Sequence, residues 1–103
     1  MARAQTERRD FASIAPTGGY SSDLLSCVMA GAKKGHLWIT LQAHLNIVAM
    51  VALNEVAAII ITENARPDTV TIAKANQLGV ILLSTPQATY EINGQLWELG
   101  IRN

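Results

Sequence analysis

The sequence predicts an α/β fold: a three-layer α/β/α sandwich on a mostly parallel sheet, built from βα repeats. Three observations predict it. From Phe11 onward, strand-like and helix-like segments alternate, the pattern of βα units. Ala57 to Thr62 reads Ala-Ala-Ile-Ile-Ile-Thr and Val80 to Leu83 reads Val-Ile-Leu-Leu. Neither alternates with polar residues, as expected of parallel strands buried on both faces. The core strands start roughly twenty residues apart, room for one crossover helix each.

The elements follow in order. Residues 1–10 carry Arg3, Arg8 and Arg9 against Glu7 and Asp10 and read as a flexible leader, or else a short basic contact arm. Residues 11–103 read as one domain. Phe11 to Ala15 alternates and is ended by Pro16, an edge-strand pattern. Thr17-Gly18-Gly19-Tyr20 reads as a turn. Ser21 or Ser22 then caps a helix with Asp23 in its first turn. Leu24, Leu25, Val28, Met29 and Ala32 share one face of it, and Lys33, Lys34 and Gly35 end it. His36 to Leu41 is aromatic, branched and apolar, hence a strand. A helix is expected over His44 to Glu55. After the Ala57–Thr62 strand, Pro67 and Asp68 open a helix with Val70, Ile72, Ala73 and Leu78 as apolar positions, closed by Gly79. Val80 to Leu83 is the last core strand. A final helix over Thr89 to Leu99 meets its stop signal at Gly100.

Composition narrows the function. In 103 residues, eight Lys and Arg balance eight Asp and Glu, which argues against nucleic-acid or membrane binding through bulk charge. A single cysteine excludes an intrachain disulfide and a four-thiolate metal or iron–sulfur site. The most apolar stretch, Leu45 to Ile61, is broken by Asn46, Asn54 and Glu55 and falls short of the ~20 residues that cross a bilayer. The first ten residues hold no apolar run and predict no secretory signal. The expected location is the cytoplasm.

The helix beginning near His44 is apolar nearly all round: Leu45, Ile47, Val48, Ala49, Met50, Val51, Ala52 and Leu53. One apolar stripe suffices to pack on a sheet. The second face predicts a homodimer, with Ile47, Val48, Met50 and Val51 as candidate interface residues, unless the last helix or the N-terminal segment covers it.

A ligand in an open parallel sheet sits beyond the carboxyl ends of the strands. Those ends gather Thr40, Gln42, Thr62, Glu63, Ser84 and Thr85. The helices that follow offer backbone N–H groups suited to an anion, with His44 and Asn46 at the start of one. The alternative is that strand ends are polar because they meet water. Gly18 and Gly19, before Ser21 and Ser22, form a second candidate phosphate cradle.

Catalytic motifs are absent. Gly31-Ala32-Lys33-Lys34-Gly35 has the residue types of a phosphate loop in the wrong order, and there is no Gly-x-Gly-x-x-Gly and no Gly-x-Ser-x-Gly. His36 and His44 are expected at opposite ends of one strand, unsuited to a shared metal. No cofactor or metal is predicted. Cys27 is expected in the core, as are Trp38 and Trp97 unless they serve an interface.

Gly18-Gly19-Tyr20-Ser21-Ser22-Asp23-Leu24-Leu25-Ser26, Trp38-Ile39-Thr40, His44 to Ala49, Ile59-Ile60-Ile61-Thr62 and Ile81 to Thr85 together resemble the DRTGG domain family over residues 17–101. They are most similar to its small stand-alone members encoded near iron-only hydrogenase genes. At the two places that name the family, Asp-Arg and Thr-Gly-Gly, this chain has Ala43-His44 and Thr62-Glu63-Asn64. The resemblance implies a regulatory module. Relatives lie beside nucleotide-sensing domains in regulated pyrophosphatases, where they contribute to dimerisation. Others occur in phosphotransacetylases, and a related fold forms the N-terminal domain of the HPr kinase/phosphorylase. The expected function is a non-catalytic, homodimeric regulatory or ligand-binding module, with a protein partner in hydrogenase or redox metabolism. The alternatives are a small adenine-nucleotide sensor using the strand ends, and an enzyme of unknown type using Asp23, His44 or Glu63.

Overall fold

The computed structural model describes residues 3–6 and 16–102, apart from the side chains at 3 and 50–53. The elements are β1 (Arg3–Ala4), β2 (Gly18–Ser21), α1 (Leu25–Gly31), β3 (His36–Thr40), α2 (Asn46–Asn54), β4 (Ala58–Ile61), α3 (Thr69–Leu78), β5 (Leu82–Ser84) and α4 (Thr89–Glu98). The sheet order is β1-β5-β4-β3-β2, with β2 to β5 parallel and β1 antiparallel on β5. The α/β/α sandwich is the predicted fold.

Strands β2 to β5 are neighbours in chain order, so right-handed crossovers place α1, α2 and α3 on one face. There α2 packs between α1 and α3. Helix α4 folds back over β2 and β3 on the other face. Alternate side chains of β3 and β4 feed the two cores. Trp38, Ile59 and Ile61 join Val28, Ile47, Val48 and Ala75, while Leu37, Ile39, Ala58 and Ile60 join Ile92 and Leu96. Burial on both faces explains why these strands lack alternation.

Local chemistry sets the boundaries. Asp68 caps α3 by accepting the Thr71 N–H at 2.8 Å, and Gly79 ends it at φ 70°, where a side chain would be strained. The C-terminus of α1 is tied to α2 instead: Asn54 Nδ2 donates to Val28 O at 3.0 Å.

Several expectations change. Residues 3–6, expected to be flexible, form an edge: Gln5 Nε2 donates to Ser84 Oγ at 2.7 Å and Thr6 Oγ1 accepts the Leu82 N–H. The expected strand Phe11–Ala15 lies outside the described residues. The expected turn at 17–20 is strand β2; its paired glycines sit flat beside β3. Helix α1 starts later than expected, so Asp23 precedes it. Only Val28 and Ala32 of its expected face are buried, Leu25 is half-buried, and Leu24 and Met29 are exposed. Cys27 is exposed rather than core. Helix α3 faces inward with Thr71 and Ala75, which leaves Val70, Ala73 and Leu78 exposed and Ile72 half-buried. Small residues four apart let that helix lie close to its neighbours.

The expected dimer residues Ile47 and Val48 are fully buried within the chain. They pack on the chain's own sheet. The side chains of Met50 and Val51 lie outside the described residues.

Candidate functional site

The carboxyl ends of β3, β4 and β5, expected to form one rim, lie side by side with that of β2. The polar groups of this rim bond chiefly to one another. Asp23, just before α1, accepts from Thr40 Oγ1 and from Leu41 N, both at 2.8 Å. Gln42 Nε2 donates to Asp23 O at 3.1 Å, and Gln42 N donates to Thr40 Oγ1 at 3.1 Å. This ties the end of β3 to the start of α1. Thr62 Oγ1 lies 2.6 Å from Thr89 Oγ1 and 3.4 Å from Thr40 O. Thr85 Oγ1 accepts from Gln87 N at 3.2 Å.

Thr40, Thr62 and Thr85 are buried. They hold the rim together from inside and do not offer their hydroxyls to a ligand. Ser84 is half-buried on Gln5, and Ser22 Oγ accepts from Leu24 N at 3.2 Å. Among the predicted rim residues, His44, Asn46 and Glu63 are exposed and Gln42 is half-buried.

The turn after β4 is strained. Glu63 and Asn64 stand at φ 58° and 60°, the left-handed region that glycine tolerates best. Ala65 N closes the turn on Thr62 O at 3.1 Å. Here the Glu63 carboxylate accepts the Thr89 N–H at 2.9 Å, and Glu91 Oε1 accepts from Ala88 N at 3.4 Å. The start of α4 is thereby occupied by two carboxylates, which favour its positive end.

Asp68 fills the start of α3 in the same way. Thr71 holds its carboxyl below the ordinary carboxylate value, first through its side chain and then through its backbone N–H, and the His44 charge adds to this. The N–H contact is the firmer, because the Thr71 hydroxyl has no partner within hydrogen-bonding geometry. The helix starts expected to receive an anion are therefore occupied at α3 and α4.

Gly18 and Gly19 do not form a phosphate cradle, because both are extended. They belong to a different hollow. A cleft of about 270 Å³ lies where the α4 face of the sheet meets β2, lined by Gly19, Ser21, Ile39, Asn93, Trp97 and Ile101 among others. A larger open groove of about 860 Å³ follows α4 past Tyr90, Gly94 and Leu99, with the buried Gln95 Oε1 unpartnered among the described residues. The sequence reading missed both hollows, since neither carries a motif. Among the described residues no group of His, Cys, Asp and Glu is arranged to hold a metal, and no helix is long and apolar enough to cross a membrane.

The fold and rim define a small α/β domain. The DRTGG domain model matches residues 25–98, and the chain belongs to that family. A search of the curated proteins finds no match. Among solved structures, the chain is similar to the CBS and DRTGG domains of the regulatory region of Clostridium perfringens pyrophosphatase, complexed with its activator, diadenosine tetraphosphate. The TM-score is 0.71 at 20% identity, over 92% of this chain. The chain spans 40% of that structure's length, so the likeness is one of fold.

Proposed function

We propose that the chain is a non-catalytic regulatory module that binds a small ligand, of which adenine nucleotides are the leading class, and that it works as a homodimer. Family membership over residues 25–98 carries the reading. The engagement of Asp23 and Glu63 supports it. Each carboxylate is held by backbone N–H groups, Asp23 by Leu41 and Glu63 by Thr89, an arrangement that positions loops. The nucleotide class comes from the activator bound to the similar regulatory region.

The test is a thermal-shift titration with AMP, ATP and diadenosine tetraphosphate. A ligand at a hundred times its dissociation constant stabilises by ~2.7 kcal/mol, a rise of several degrees for a domain of this size. A dose-dependent rise with one of them supports the reading; a flat panel removes the nucleotide.

Exposed apolar residues support a second reading, that of a protein-docking module. Leu24, Met29, Leu45, Val70 and Leu78 are all exposed on or beside α1, α2 and α3. A second copy is the proposed occupant of this layer; a partner from hydrogenase or redox metabolism is the rival occupant. Sedimentation at high micromolar concentration distinguishes them. A species of twice the chain mass supports the dimer, and a strict monomer opposes it.

A further inference from the structure

We propose that the cleft between β2 and α4 is a binding site for a planar heteroaromatic ring, and that it receives the base of a purine nucleoside. This rests on the reading of the chain as an adenine-nucleotide module and assigns that ligand a place away from the strand-end rim.

Four features of the cleft argue for a flat, polar-edged ring. Its floor is apolar: Ile39 and Leu96 are buried and Ile101 is half-buried. One wall is the Trp97 indole, 57% exposed. The Arg102 guanidinium stands over that ring at 5.2 Å and its Nε donates to Trp97 O. An exposed aromatic wall is a stacking surface. The mouth is polar. Ser21 Oγ donates to Asn93 Oδ1 at 3.1 Å, while the Asn93 amide nitrogen has no partner among the described residues. A side-chain amide pairs well with an adenine edge.

The strand contributes as well. β2 is the edge of the described sheet. Ser22 donates its N–H to Ile39 O, so by alternation the peptide groups of Ser21 and Gly19 face away from β3 and, among the described residues, pair with no other strand. Gly19 also leaves the space. A Cβ there would touch Ile39 Cδ1 at 3.6 Å, an ordinary contact, so packing does not demand glycine and a side chain would fill the cleft instead. The volume, about 270 Å³, lies below the ~300–1,000 Å³ of drug-sized pockets and suits one ring system. Phosphates would extend into solvent, because Arg102 is already turned to Trp97.

The experiment is a titration of the full chain with adenosine, AMP and diadenosine tetraphosphate, followed by tryptophan emission and thermal shift. Trp38 is fully buried, so quenching by a stacked base reports Trp97. Adenosine and AMP are expected to bind with similar affinity and to quench. Trp97→Phe is expected to abolish the quenching. Gly19→Val and Asn93→Ala are each expected to weaken binding about tenfold or more while still unfolding cooperatively. Thermal stabilisation by a nucleotide that is unchanged in both variants overturns the cleft and leaves the nucleotide reading standing. Absence of both quenching and stabilisation with every probe overturns the two together. Should Gly19→Val fail to fold, Asn93→Ala decides alone.

Discussion

The strand-end rim and the β2–α4 cleft lie on the same sheet and differ in what their polar groups are doing. The rim is rich in hydroxyls, amides and carboxylates, yet Asp23, Thr40, Thr62 and Glu63 bond chiefly to one another and to the backbone. The cleft has few polar groups, but among the described residues the Asn93 amide nitrogen and the edge of β2 have no partner beside an apolar floor. Binding capacity therefore depends on which groups are unsatisfied, and the number of polar residues is a poor guide to it. The rim behaves as a brace and the cleft as a receptor.

Replacing a brace is expected to have the largest effect on stability. Asp23→Ala leaves the buried Thr40 hydroxyl without its carboxylate and is expected to cost about 2–3 kcal/mol, read by chemical denaturation. Asp23→Asn, which keeps one acceptor oxygen, should cost less. A neutral Asp23→Ala would break the contrast from the rim side.

The two faces of β2 give the next test. Gly31 in α1 lies against Tyr20, whose ring atoms would stand 2.5 Å from an added Cβ and whose hydroxyl donates to Cys27 O. Gly31→Ala is expected to cost about 1–2 kcal/mol, overpacking outweighing the helix propensity gained. On the opposite face, Gly19→Ala should cost less than about 1 kcal/mol and weaken the ligand instead. Equal losses of stability would remove the distinction.

Glu63 sharpens the comparison further. Glu63→Ala keeps the left-handed backbone but loses the Thr89 contact, an expected loss of about 1–2 kcal/mol. Glu63→Gly loses the same contact but relieves the strain, so it should fall within about 1 kcal/mol of the parent. The difference between the two variants, read by denaturation, isolates the strain.

The smallest effect is with acid. The Asp68 carboxyl is held below its ordinary value of 3.8, so its contribution is complete above that value and is lost as pH falls through the lower, folded one. The difference in Tm between the parent and Asp68→Asn should therefore shrink on going from pH 7 to about pH 3. A constant difference would contradict the cap.

Much of the fold was legible in the sequence because burial on both faces writes itself as unbroken apolar runs. β3, β4 and β5 and all four helices fall close to where those runs and the Asp68, Gly79 and Gly100 signals place them. β2 was not legible: Gly18-Gly19 reads as a turn, and only pairing with β3 makes it a strand. Nor was the inward face of α3, since Val70 and Leu78 are more apolar than Thr71 and Ala75. The rim residues lie at the strand ends, but sequence cannot tell a hydroxyl facing solvent from one facing Thr89. The cleft was illegible because its parts, residues 19–21 and 93–101, lie far apart in the chain and meet only when α4 folds back.

The most direct test is an amide and indole chemical-shift map of the isotope-labelled chain with adenosine added. The account predicts shifts concentrated at Gly19, Ser21, Asn93 and the Trp97 indole, with the strand-end rim unchanged. Shifts centred on Gln42, His44 and Asn46, or none anywhere, would contradict it.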